Sequence, residues 1–156
     1  MATRPQTWVL TGSLENFRAT REREFKVIGV KEGRRRMAEQ IEPGDRLVFY
    51  VTGIQAFGGM VRVTGPMYEE RTKVWPGKPG KADIYPWRFE TEPVHVLDED
   101  DFVPAEELAD RLEHVGKWPR EHWQLAFQGQ LRTVSAADAK LIERELKARR
   151  AAPAAA

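Results

Sequence analysis

A chain of 156 residues, with 41% hydrophobic, 31% charged and 10% aromatic residues, is long enough to bury a core without disulfide or metal staples and too apolar to stay disordered. Twenty-five Lys and Arg against 24 Asp and Glu leave a formal charge of +1, so the whole-molecule field names no partner. Zero cysteines exclude disulfides, thiolate metal sites and cysteine nucleophiles, and three scattered histidines (His95, His114, His122) suggest no zinc site.

No apolar run approaches the roughly 20 residues of a membrane span, and the opening MATRPQTWVL lacks the features of a signal peptide. The expectation is one cytoplasmic domain over residues 1–150, without cofactor or metal, and a frayed tail over 151–156.

In chain order, residues 7–10, TWVL, read as a strand. Ser13 suits a helix N-cap before LENFRAT, with Phe17 inward. FKVIGV, residues 25–30, reads as a second strand, and GRRRMAEQI as one or two amphipathic turns placing Met37 and Ile41 inward. The turn Glu42-Pro43-Gly44-Asp45 precedes a third strand, RLVFYVT over 46–52, apolar enough to be buried on both faces. A fourth strand runs over 55–64, and Gly58-Gly59 within it signals a bulge or a close backbone approach. Residues 65–82 read as a long loop rich in Gly, Pro and Lys that nevertheless holds Tyr68 and Trp75. Residues 84–92 form a further strand, extended by 94–97, with Tyr85, Trp87 and Phe89 on one face. Pro104, followed by Leu108, Leu112 and Val115 at helical spacing, predicts a helix over 104–115. Residues 125–127 are a short strand candidate, and Ser135 to Asp138 resembles a capping box opening a last helix through 148. The sum is an α+β domain built on a curved sheet or small barrel.

Charge segregates along the chain. Residues 1–36 hold nine basic against four acidic residues, net +5; residues 90–115 hold one against ten, net −9; residues 116–156 hold eight against four, net +4. Two opposed faces of this kind would orient a polyanion on a nearly neutral molecule. Enzymatic templates fail: there is no phosphate loop, dinucleotide fingerprint, nucleophile elbow or zincin motif, and the acids at 98–101 read as a solvated turn. Trp75, Tyr85 and Trp87 instead lie among Lys73, Lys78, Lys81 and Arg88, the composition that stacks a base and neutralises its phosphates. The loop setting of Trp75 predicts that Trp75→Ala weakens such binding at nearly unchanged thermal stability.

WVLTGSLENF, IEPGDRLVFYVTG, FGGMVRVTGP, VWP and DIYPWRFETEPV, in that order over residues 7 to about 147, resemble the EVE domain family of the PUA-like superfamily. The resemblance implies a small, bent β-barrel flanked by short helices. It also implies kinship with YTH domains, which hold a methylated adenine of RNA in an aromatic cage, and a role as a non-catalytic reader of DNA or RNA carrying a modified, flipped base. Carried over, the base pocket comprises Ser13, Asn16, Ile28, Gly29, Lys31, Phe57, Trp75 and Tyr85, with phosphates at Arg34, Arg35, Lys73, Lys78, Lys81 and Arg88. Where YTH domains carry a cage tryptophan on the second strand, this chain has Val27, Ile28 and Gly29. The alternative is a sensor of a free nucleobase or nucleoside, or a protein-interaction module.

Overall fold

A computed structural model describes residues 5–76, 85–113, 115–117, 121, 126–127 and 131–151. Its centre is a mixed eight-stranded sheet that curls into a half-barrel: β1 (Thr7–Gly12), β2 (Val27–Val30), β3 (Arg46–Val51), β4 (Ala56–Val63), β5 (Tyr68–Glu69), β6 (Trp87–Val96), β7 (Val103–Pro104) and β8 (Leu131–Val134). The strand order is β2-β6-β4-β3-β1-β8, with β5 added to β6 and β7 to β4. β1 and β3 run parallel, Thr7 opposite Arg46, and the other pairings are antiparallel. Three α-helices flank the sheet: α1 (Leu14–Glu22), α2 (Arg35–Ala38) and α3 (Ala136–Ala151).

Burial dictates the central ladder. Leu47 to Val51 are buried without interruption, as the apolar run predicts for a strand covered on both faces. Asp45, itself buried, secures the entry to β3 by accepting from Trp8 Nε1 at 3.1 Å and from the backbone N–H groups of Gln6 and Glu42 at 2.9 and 3.1 Å. One carboxylate thus ties the turn to β1 and leaves three donors satisfied. The ladder between β3 and β4 shifts register opposite Gly58, the bulge expected there. A Cβ on Gly58 would stand 2.8 Å from the Phe17 ring, so the bare backbone lets the aromatic cluster of Phe17, Phe25, Phe49 and Phe102 close against β4.

Ser13 Oγ accepts from Asn16 N at 3.1 Å and caps α1, a contact that stabilises a helix by about 1 kcal/mol. Ser135 does the same for α3 through Asp138 N. The Asp138 carboxylate accepts from Glu113 N at 2.8 Å, so it anchors the preceding segment. Ile142 and Leu146 face the core, and Leu141 is half-buried.

Three expectations need correction. Residues 104–115 are not an α-helix: Pro104 pairs with Ala56, Ala105 donates to Gln55 O, and Ala105–Glu107 is a 3-10 turn followed by further turns. Leu108, Leu112 and Val115 are nonetheless buried; strand pairing sets the entry to the segment, and tight turns suffice to bury its apolar positions. The loop after β4 contains β5, whose Tyr68 pairs with Arg88. Ala126 and Phe127 belong to a 3-10 turn, with the Phe127 ring stacked 4.6 Å from that of Tyr50. The expected tail begins at Ala151, the end of α3, and 152–156 lie outside the described residues. Among the described residues, no helix is long and apolar enough to cross a membrane.

Candidate functional site

A pocket opens where the end of β1, the first two turns of α1, β2 and β3 meet the chain at Trp75 and Tyr85. The cavity it encloses is about 40 Å³. That is below the usual range of small-ligand sites, so the pocket is a narrow slot that its own side chains largely close. Leu10, Ile28, Phe49 and Val51 supply apolar surface; Thr11, Ser13, Asn16 and Thr20 supply hydroxyl and amide groups. Tyr50 also lines it, and burial pushes its phenol up to about 12, so the slot holds a neutral phenol at physiological pH. Among the described residues the lining holds no carboxylate, histidine or lysine, and no cluster of His, Asp and Glu could hold a metal.

The aromatic side is locked. Trp75 is 4% exposed and donates from Nε1 to Thr20 Oγ1 at 2.9 Å, while Thr20 Oγ1 donates to Asn16 O at 3.0 Å. Asn16 Nδ2 donates to Tyr85 Oη at 3.0 Å. The Trp75 and Tyr85 rings meet edge to face, 5.8 Å apart at 73°. Gly29 is what permits this packing, because a Cβ there would lie 2.5 Å from Trp75 Cζ3 and 2.7 Å from Tyr85 Cβ. Trp75 therefore lies against the second strand at its glycine, and the ring is too well buried for Trp75→Ala to be neutral for stability, contrary to expectation.

Of the residues the sequence nominated, Ser13, Asn16, Ile28, Gly29, Trp75 and Tyr85 line the slot together. Lys31 stands at its edge, Nζ 5.8 Å from the centre of the Tyr85 ring. Phe57 does not belong: it is fully buried, packed edge-on against Tyr50 and Phe127, because the bulge at Gly58 turns it toward the core behind the pocket. Arg88 is also misplaced among phosphate ligands. It is 4% exposed, lies opposite Gly29, and donates to Tyr85 O at 3.0 Å and to Thr72 O, with its guanidinium 5.2 Å from the Trp75 ring centre. Burial lowers its pKa, though a guanidinium stays charged.

Arg34, Arg35 and Lys73 are exposed, whereas Lys78 and Lys81 lie outside the described residues. Arg35 pairs with Glu39 at 3.2 Å and covers the Trp87 ring; Arg34, Arg36 and Lys73 have no ion-pair partner among the described residues. Sequence reasoning missed Thr20, Tyr50 and Arg36. Only Arg36 carried a signal, as the third member of an arginine run.

The family model of the EVE domain matches residues 6–145. UPF0310 protein PH1033 of Pyrococcus horikoshii is 25% identical over 149 residues, covering 89% of this chain and 97% of that protein. The YTH domain of the Zygosaccharomyces rouxii MRB1 protein, solved in complex with N6-methyladenosine RNA, superposes with a TM-score of 0.65 at 17% identity, covering 94% of this chain and 89% of its own. Human THYN1, solved with 5-methylcytosine-containing DNA, superposes with a TM-score of 0.56 at 12% identity, covering 95% and 99%. At such identities these two likenesses speak for the fold alone, an α+β half-barrel. The match of the family model across nearly the whole chain establishes that this protein belongs to the EVE domain family.

Proposed function

We propose that this protein reads nucleic acid by taking one flipped, modified base into the slot between Trp75 and the end of β1. The observation that carries the reading is the lining of the slot: the Trp75 and Tyr85 rings beside Leu10, Ile28 and Phe49, with the Ser13 hydroxyl and the Asn16 amide among them. A planar heterocycle suits that mix of aromatic, apolar and hydrogen-bonding groups, and base stacking on an aromatic face contributes roughly 1–3 kcal/mol. THYN1 and the MRB1 YTH domain, which share the fold, were solved with 5-methylcytosine DNA and N6-methyladenosine RNA, and that supports a modified base as the occupant.

The exposed Arg34, Arg35 and Arg36, a few residues beyond the half-buried Lys31 beside Tyr85, would meet the flanking phosphates, joined by Lys73 on the segment that carries Trp75. Extrusion of a base from a duplex costs a few kcal/mol, so single-stranded or mismatched substrate binds best. The role is binding without turnover.

The test is a binding panel of short single- and double-stranded oligonucleotides carrying 5-methylcytosine, N6-methyladenine or unmodified bases, each at two salt concentrations. The Trp75→Leu protein, which keeps apolar bulk but loses the aromatic face, runs alongside. Salt-sensitive binding that favours a modified base and falls in the variant supports the reading. Binding of free nucleosides with no gain from the polymer would identify a small-molecule sensor instead, and no binding of either kind would refute both.

A further inference from the structure

The segment bearing Trp75 and the chain re-entering the sheet at Tyr85 supply the pocket's two loop-borne aromatic rings, and neither ring sits on a strand. A wall outside a strand needs something other than a ladder to hold it. Arg88, at the second position of β6, reaches both: its Nε donates to Tyr85 O at 3.0 Å, its terminal nitrogen donates to Thr72 O, and its guanidinium carbon lies 5.2 Å from the Trp75 ring centre.

The charge is also in a costly place. Arg88 is 4% exposed, no carboxylate ion-pairs with it among the described residues, and Glu70 acts on it only at longer range. Burying a guanidinium against two carbonyls and a ring is a poor route to stability, since an apolar residue of similar volume packs there without the loss of hydration. A planar fork of donors does what no apolar side chain can: it fixes two separate backbone carbonyls and an aromatic face in one geometry.

We propose that Arg88 is a positioning residue for ligand binding, a staple that fixes Trp75 and Tyr85 as the pocket's loop-borne aromatic rings without itself touching nucleic acid. The inference rests on the base-binding reading of the slot. It differs from any phosphate contact in one respect: its loss weakens binding of the base and leaves the salt dependence alone.

Arg88→Lys keeps the charge and removes the fork. The expected result is a fall in affinity of about tenfold or more for a modified-base oligonucleotide, comparable with the loss of one charge-assisted hydrogen bond, with an unchanged slope of log affinity against log salt. Acrylamide should also quench additional tryptophan fluorescence in Arg88→Lys, and this gain should vanish in the Trp75→Phe background. Where Arg88→Lys does not fold, nuclear magnetic resonance of the wild type serves: the Arg88 Nε–H should exchange slowly and shift when a modified mononucleotide is added.

Wild-type affinity in a folded Arg88→Lys protein with Trp75 still shielded would overturn the proposal, as would a reduced salt slope or a rapidly exchanging Arg88 Nε–H. If the wild type binds no oligonucleotide or nucleoside, the functional reading fails. The quenching and exchange arms still decide whether Arg88 holds the rings.

Discussion

Gly29→Ala probes the pocket with one carbon atom. Its backbone lies outside the left-handed region, so alanine introduces no torsional strain; the new methyl meets Trp75 Cζ3 at 2.5 Å, Cη2 at 2.9 Å and Tyr85 Cβ at 2.7 Å. Ordinary contact begins near 3.4 Å, so the Trp75 ring must move by about 1 Å. A shift of that size breaks the 2.9 Å bond from Nε1 to Thr20, at a cost of about 1 kcal/mol, and overpacking adds roughly 1–3 kcal/mol. Restricting the unfolded chain returns about 0.4–1 kcal/mol, leaving a net loss of about 1–3.6 kcal/mol. Urea titration followed by circular dichroism measures the loss, and affinity for a modified-base oligonucleotide should fall with it because the stacking face has shifted. A Gly29→Ala protein as stable as the wild type, with unaltered affinity, would show that Trp75 does not rest on Gly29 and would remove the basis for the aromatic wall.

Trp75→Ala should destabilise by about 3–5 kcal/mol, the ordinary cost of deleting a buried tryptophan, measurable by the same titration. Tyr50 is neutral in the fold up to about pH 12 but ionises near 10 once unfolded, so the stability it contributes is complete below pH 10 and declines as pH rises from 10 to 12. The loss should reach roughly 2–3 kcal/mol, and Tyr50→Phe should abolish that part of the alkaline decline in melts across this range. Replacing Arg34 and Arg36 together by alanine should lower oligonucleotide affinity uniformly across sequences and make the salt slope shallower by about one per residue, read from fluorescence anisotropy at several salt concentrations.

The sheet was legible where burial is periodic or unbroken: TWVL, RLVFYVT and the Gly58 bulge follow from apolar runs and a glycine pair, because strand pairing and burial act locally on those residues. Residues 104–115 misled because Leu108, Leu112 and Val115 satisfy helical spacing equally well when turns bury them, and the pairing of Pro104 with Ala56 is a long-range event with no local signature. Of the six pocket residues that converge, Trp75 and Tyr85 stood out by aromatic rings set among cations, and Ser13, Asn16, Ile28 and Gly29 were reached through the family resemblance. Arg88 and Phe57 failed because alternation along a strand does not say which face meets the pocket once a bulge or a loop end intervenes. Thr20 was invisible for a related reason: its partner, Trp75, is 55 residues away.

The same limit applies to charge, where what matters at a binding surface is which side chains remain unpaired. The sequence suggests that the basic segment 1–36 opposes the acidic segment 90–115, but the fold brings part of each together. Arg18 engages Glu99 at 2.5 Å and Arg21 stands 3.7 Å from Asp98. The Arg18 hydrogen bond, then its charge, holds the Glu99 carboxyl below its usual range, and the arginine is raised in turn. The arginines of α1 are thereby turned to local use, and their field at the pocket is offset by neighbouring acids. Arg34 and Arg36, in the turn after β2, keep their charge unopposed among the described residues. The strand that precedes them lines the slot through Ile28 and Gly29. Such unpaired arginines are the ones a polyanion at the slot would meet, and a net charge of +1 does not reveal them.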